Sequence, residues 1–268
     1  MACTATITKS DKSEVLRNLE MEGCVEVSTS PDRPNIFYEV KGRTTLEADL
    51  DHVLSSLRMK AVAAPRVLIY CQSLDVCAEL YAHFHYEIGD SSYYPPGSPH
   101  LSDYRLFGMF HANTPQHNKD VILQSLLHPD GVVRVVFATV ALGMGVNLQV
   151  NTIINYGAPK SLDDYFQESG RGGRSGDDAV STIYWKPVDC RVSKKPVTPR
   201  DHELIAVRRY LENTTLCRRK WLLDHFDVKM KEPLERCCDV CSNTVTAVIS
   251  EGCESTKGSP CESEEEFQ

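Results

Sequence analysis

Arg171 and Arg174 stand three residues apart within Gln167-Glu168-Ser169-Gly170-Arg171-Gly172-Gly173-Arg174-Ser175-Gly176, behind an acidic, aromatic run of Asp163, Asp164, Tyr165 and Phe166. Arginines at that spacing at a helix start point the same way. The glycines let the backbone turn sharply and approach a ligand closely. Two guanidinium forks converging on such a turn suit a polyphosphate, because each fork bonds two oxygens at once. A second constellation is sulfur: Cys238 and Cys241 lie at i and i+3, a spacing that lets two thiolates chelate one tetrahedral zinc. A third is Thr139 with Gly143 and Gly145, after an apolar run. A threonine hydroxyl and glycine amides at a strand end bond a passing phosphate without reading a base.

These residues need a frame that brings loops together. From about residue 35 to 186 strand and helix signals alternate. Val67–Tyr70, Arg105–Phe110, Val132–Ala138, Thr152–Tyr156 and Ala179–Trp185 read as short apolar, β-branched strands. Leu46, Leu50, Val53, Leu54 and Leu57 fall on one helical face. Leu74, Cys77, Leu80, Tyr81 and Phe84 form a second stripe, with Ser73 as its N-cap, and Val121, Ile122, Ser125 and Leu126 a third. The alternation predicts an α/β fold, a mainly parallel sheet with helices on both faces. Ligands in such sheets bind at the carboxyl ends of strands, where the arginine and threonine constellations are expected to fall. Ser91–Ser102 reads as a surface insertion and Cys190–Pro199 as a linker out of the sheet domain. Helices are expected over about Asp201–Glu212 and Thr215–Phe226, and a disordered, Glu-rich tail after Cys241.

Composition narrows the class. The chain has 268 residues, 41% of them hydrophobic, enough for one full domain and a small second one. No apolar run approaches the roughly 20 residues of a bilayer span, and the N-terminus is no signal peptide, so no membrane partner is expected. Eleven cysteines without a secretion signal read as reduced thiols plus a metal site, in nucleus or cytoplasm. A net charge of −8 argues against a stand-alone basic nucleic-acid binder. Charge is uneven, however. Lys186–Arg236 holds thirteen Lys and Arg against eight Asp and Glu, whereas Ser242–Gln268 holds six Glu and one Lys. A local basic face can neutralise a few phosphates.

The decapeptide around Arg171 and Arg174 resembles motif VI of superfamily 2 helicases, in the form found in RecQ-type DNA helicases. Phe137–Asn147 resembles motif V, with Asn147 where that family has Asp. Ser30-Pro31-Asp32-Arg33-Pro34-Asn35 resembles the S-x-x-R-P-N segment that leads into the second motor lobe. Val67–Cys71 with Gln72 and Ser73 resembles motif IV, and Phe110-His111-Ala112 the Y-H-A element, with Asn113 replacing glycine. Ala2-Cys3-Thr4-Ala5-Thr6 resembles motif III, which ends the first lobe. The resemblance implies a RecA-like lobe whose Arg171 and Arg174 reach the phosphates of ATP and Mg2+. It implies nucleotide contacts at Gln167, Gly143, Gly145 and Asn147. It further implies DNA contacts at Ser73, Asn113, Thr139, Lys160 and Ser161, and coupling through Thr4 and Thr6. These 268 residues contain no G-x-x-x-x-G-K-[ST] loop and no D-E-x-H carboxylates for magnesium. Phosphoryl transfer needs that lysine and metal as well as an arginine, so the chain alone is expected to bind ATP weakly and not to hydrolyse it.

Cys217-Arg218-Arg219 followed by Cys237-Cys238-Asp239-Val240-Cys241 resembles the RecQ zinc-binding subdomain, and implies Zn2+ held by Cys217, Cys237, Cys238 and Cys241. That family places a cysteine where Glu235 stands. Cys237 substitutes for it with a tight chelate beside Cys238, and Glu235, His225 or a water are the alternatives. The organisation expected is a first-lobe remnant over 1–25, a RecA-like lobe over 26–190, a helical zinc subdomain over 197–242 and an acidic tail over 243–268. The first reading is the C-terminal half of an ATP-dependent 3′-to-5′ DNA helicase that acts on single-stranded or forked DNA in repair or recombination, completed by a helicase lobe in trans. The alternatives are a non-catalytic DNA- or protein-binding truncated helicase and the second lobe of an RNA helicase.

Overall fold

The computed structural model describes residues 9–21, 23–139, 148–192, 198–230, 234 and 236–242. The residues expected at Thr4, Thr6, Gly143, Gly145 and Asn147, the alternative ligand Glu235 and the acidic tail lie outside the described residues. Among the described residues six strands form one parallel sheet. They are β1 (Ile36–Gly42), β2 (Val67–Cys71), β3 (Phe107–Phe110), β4 (Val135–Ala138), β5 (Thr152–Tyr156) and β6 (Ala179–Trp185), in the order β1-β6-β5-β2-β4-β3.

Every residue of β2 and β4 is buried, as continuous apolar strands covered on both faces must be. On one face lie α2 (Leu46–Lys60) and α3 (Leu74–Ile88), whose Leu50, Leu57, Leu80 and Phe84 pack on Ile69, Phe137 and Ile154. On the other, α4 (Gln116–Leu127) covers Leu68, Val136 and Ile153. There α5 (Leu162–Ser169), α6 (Pro199–Glu212) and α7 (Arg218–His225) bury Ile36, Tyr38 and Ile183. Each fully buried leucine or isoleucine here contributes about 1.5–3 kcal/mol of transfer free energy. The expected cap at Ser73 forms, and Ser161 and Thr198 add two that the sequence reading did not name. Ser73 accepts from the Val76 amide at 3.2 Å, Ser161 from Asp164 at 3.0 Å, and Thr198 with Asp201 closes a capping box.

Four details depart from the sequence reading. The first is α1 (Lys9–Asn18), a polar helix that no apolar stripe announces. The second is β1, whose Glu39 and Lys41 interrupt the apolar run; as the last strand of the sheet it tolerates them. Third, β3 and β4 begin later than expected. The Leu106 amide bonds Ser92 O at 2.8 Å and the Val133 amide bonds Ser125 Oγ at 2.7 Å, so neither pairs in the ladder. Fourth, the 91–102 insertion has little regular structure but is pinned at its start, with Ser92 and Tyr93 buried and Arg105 donating to Tyr93 Oη at 2.8 Å.

The outer side of β1 is covered by the cysteine segment. The Tyr38 amide donates to Cys237 O at 3.3 Å and the Val40 amide to Asp239 Oδ2 at 3.0 Å.

Candidate nucleotide and strand site beside a cysteine centre

The strand order fixes where a ligand can sit. From β2 the chain moves toward β3 at one side of the sheet; from β5 it moves toward β6 on the other. Neighbouring strands whose connections leave in opposite directions open a crevice at their carboxyl ends. Between β2 and β5 there is a cleft of about 550 Å³, lined by Gln72, Thr139, Asn155, Lys160, Gln167 and Glu168, with Arg191 and Arg200 also on its wall. Thr139 from the end of β4 therefore lines one cleft with Lys160 and Gln167 from around α5. Thr139 is held by its amide, which donates to Phe110 O at 3.3 Å. Ser73 and Ser161 each accept one amide as the caps of α3 and α5, next in sequence to the cleft-lining Gln72 and Lys160, and neither lines the cleft itself. Asn113 does not join them. It lines a separate cavity of about 220 Å³ with Arg105 and His111.

Glu168 reaches into the cleft from α5 and accepts from Asn155 Nδ2 at 2.6 Å. Burial is the main influence on its carboxyl and pushes it up to about 7, against the pull of Asn155, Lys160 and Arg171. Sequence reading assigned neither residue a role; the pairing joins a strand to the helix that follows it.

Arg171 and Arg174 do not open a helix. The acidic, aromatic run forms α5, which ends at Ser169, and the arginines occupy the turn beyond it. The glycines are the reason. Gly170 caps the helix, and Gly173 has φ of +59°, where an added Cβ would lie 2.4 Å from Asn35 Nδ2 and 2.5 Å from Asp177 O. Arg171 is buried and Arg174 half-buried, its Nε donating to Gly170 O at 3.3 Å. Burial, then the neighbouring Arg171 and Arg33 guanidiniums, push Arg174 below its ordinary value. A cation crowded by cations gains from an arriving polyanion, so the turn suits phosphate electrostatically as well as in shape.

The cysteines converge beside β1. The Sγ atoms of Cys217, Cys237, Cys238 and Cys241 all lie within 4.8 Å of one another, and those of Cys217 and Cys237 are 3.4 Å apart. Sulfurs bound to one zinc at about 2.3 Å lie just under 4 Å from each other, so the donor set fits that ion. Hydrogen bonds from Cys217 and Cys237, and then from the Cys241 and Arg218 amides, hold the Cys238 thiol well below its ordinary range. His225 is otherwise engaged, 3.0 Å from Asp163 Oδ2, and does not join the set. The two arginines after Cys217 are structural. Arg218 bonds Asp239 Oδ1 at 2.5 Å and Tyr210 O at 3.1 Å. Arg219, 1% exposed, bonds Asp32 Oδ1 at 2.8 Å, Arg33 O at 2.7 Å and Ile36 O.

Residues 49–176 match the helicase conserved C-terminal domain, and residues 191–242 match the RecQ zinc-binding domain. The chain thus joins a helicase C-terminal domain to a RecQ zinc-binding domain, and RecQ-family helicases match it over about 90% of its length. Its relatives include the ATP-dependent DNA helicase hus2/rqh1 of Schizosaccharomyces pombe, 28% identical over 92% of this chain and 18% of that protein. The ATP-dependent DNA helicase RecQ of Haemophilus influenzae is 28% identical over 90% of this chain and 36% of its own length. The Putative ATP-dependent RNA helicase R290 of Acanthamoeba polyphaga mimivirus is 26% identical over 91% of this chain and 41% of its own length. The chain thus spans less than half of each of these relatives. Among solved structures, S. cerevisiae Dbp5 bound to RNA and ADP BeF3 superposes with a TM-score of 0.53 at 15% identity, over 92% of this chain and 53% of that one, a likeness of fold. Among the described residues no helix is long and apolar enough to cross a membrane.

Proposed function

We propose that this chain is the second motor lobe and zinc subdomain of a RecQ-family, ATP-dependent 3′-to-5′ DNA helicase, unwinding DNA in repair or recombination. The observation that carries the reading is the convergence of Thr139, Lys160 and Gln167 on the switch-point cleft, with the Arg171–Arg174 turn following α5, the helix that carries Gln167. Arg171 and Arg174 would hold ATP phosphates facing them from the first lobe. The Mg2+ complex of ATP supplies the phosphoryl group whose hydrolysis drives movement. Gln167 would touch the nucleotide. Ser73, Thr139, Lys160 and Ser161 would hold the phosphates of a single strand, neutralising charge without reading sequence. Asn113, in its own cavity, would contact the strand farther along. Thr4 and Thr6 would couple the lobes, with Gly143, Gly145 and Asn147 beside the nucleotide. Cys217, Cys237, Cys238 and Cys241 would hold Zn2+, which crosslinks the subdomain. The division into a lobe over 26–190 and a subdomain over 197–242 is part of the same reading. The site of action is the compartment of the genome, the nucleus in a eukaryotic cell.

The deciding experiment measures ATP hydrolysis with single-stranded DNA. The 268-residue chain alone should show no turnover. Joined to a first RecQ motor lobe it should hydrolyse ATP and unwind a 3′-tailed duplex, and Arg174→Ala should cut turnover by about 10³-fold or more. Robust turnover by the isolated chain, or full activity of Arg174→Ala, would sink the reading. The mimivirus relative is named an RNA helicase, which motivates the second reading. Equal unwinding of RNA and DNA duplexes would favour it.

A further inference from the structure

The segment Ser30–Asn35 precedes β1 and touches no part of the switch-point cleft, yet it makes the densest set of long-range hydrogen bonds to the arginine turn. Arg33 Nη1 donates to Gly170 O at 3.3 Å, and Nη2 donates to Gly172 O at 3.1 Å and Gly173 O at 2.8 Å. Asn35 Nδ2 adds bonds to Gly173 O at 2.8 Å and Asp177 O at 2.6 Å. A turn after a helix leaves carbonyls with no partner in the helix, and one planar fork here collects three of them. The clamp is itself held from the opposite side, where Arg219 bonds Asp32 Oδ1 and Arg33 O.

We propose that Arg33, assisted by Asn35, is a positioning residue: it fixes the 170–173 backbone so that Arg171 and Arg174 present their guanidiniums to phosphate in one geometry. Arg33 touches no nucleotide in this scheme. The proposal rests on the nucleotide-facing reading of Arg171 and Arg174. Its shape requirement is the fork, because a lysine keeps the charge but spans only one carbonyl direction well. It also explains why Gly173 cannot carry a side chain, since Asn35 fills the space a Cβ would occupy.

The test uses the full 268-residue chain as Arg33→Lys, with Asn35→Ala as a second, milder variant and Arg174→Ala for comparison. Amide hydrogen exchange is read over Gly170–Gly173, whose amides bond Phe166, Glu168, Ser169 and Val150 carbonyls. Inorganic tripolyphosphate affinity is read by calorimetry. Arg33→Lys should speed exchange at those four amides by about tenfold or more, leave the β2 and β4 amides unchanged, and weaken tripolyphosphate about three- to tenfold. Asn35→Ala should move the same amides by less. Arg174→Ala should lose tripolyphosphate altogether and, giving up one bond to Gly170 O, speed exchange by less than Arg33→Lys does. Wild-type exchange and affinity in Arg33→Lys overturn the clamp, as does wild-type exchange in Asn35→Ala if Arg33→Lys does not fold. Absence of any tripolyphosphate binding by the unaltered chain overturns the nucleotide-facing reading instead, and the exchange data still judge the clamp.

Discussion

In two of the molecule's arginine pairs, Arg218–Arg219 and Arg171–Arg174, the same side chain does opposite work. Arg218 and Arg219 are buried against carboxylates and carbonyls: Asp239 for one, Asp32 and the Arg33 and Ile36 carbonyls for the other. Arg171 and Arg174 sit in a glycine turn, where burial, and then the charges of Arg171 and Arg33, push Arg174 down. A guanidinium among acceptors is part of the scaffold. One among other cations is stabilised when an anion arrives. The difference lies in neighbours, not in residue type.

The comparison can be broken in several ways. The largest effect is expected at the cysteines beside the structural pair. If zinc holds that region, chelation or Cys241→Ser should release about one zinc per chain, removing on the order of 10 kcal/mol of folding free energy from the subdomain. Metal analysis with calorimetric melting checks this; an unchanged melt denies the cluster a structural metal. Next comes Arg219→Met, which strands Asp32 and several buried carbonyls and should cost about 3–5 kcal/mol in urea unfolding. Gly173→Ala meets both a left-handed backbone and Asn35, and should cost about 1–3 kcal/mol by the same measurement.

Glu168 gives a pH signature. Its folded value of about 7 lies above the usual 4.5, so the folded state binds the proton more tightly. The stability this gives is complete below about pH 4.5 and fades as pH rises through about 7. Glu168→Gln should flatten the decline across that window by on the order of 1 kcal/mol, as read from unfolding at a series of pH values. Smallest of all, Arg174→Ala should leave stability within about 0.5 kcal/mol. A loss as large as that of Arg219→Met would erase the distinction between the pairs.

What could be read from the chain beforehand follows from interaction range. Ser73 was legible as a cap, because an N-cap hydroxyl meets an amide three residues on. Leu50, Leu57, Leu80 and Phe84 were legible as core from their helical spacing. The parallel sheet followed from strand–helix alternation. The arginines' position was misread, since α5 ends at Ser169 before them and the left-handed backbone at Gly173 holds them in a turn. The jobs of Arg33 and Arg219 were invisible: their partners lie 137–140 and 183–187 residues away, beyond any local pattern. The cysteine set was half legible. Adjacent Cys237 and Cys238 left the last ligand open, and the fold brings both sulfurs into the cluster while His225 turns to Asp163.

The covering of β1 by Cys237 and Asp239 has a consequence for how the chain behaves in company. A bare outermost strand is a template on which another polypeptide can add, and here the row from Ile36 to Gly42 is kept from strangers by the sulfur-bearing segment itself. Oxidising those thiols would therefore unmask a sticky border on an otherwise sound sheet, turning a local chemical injury into self-association.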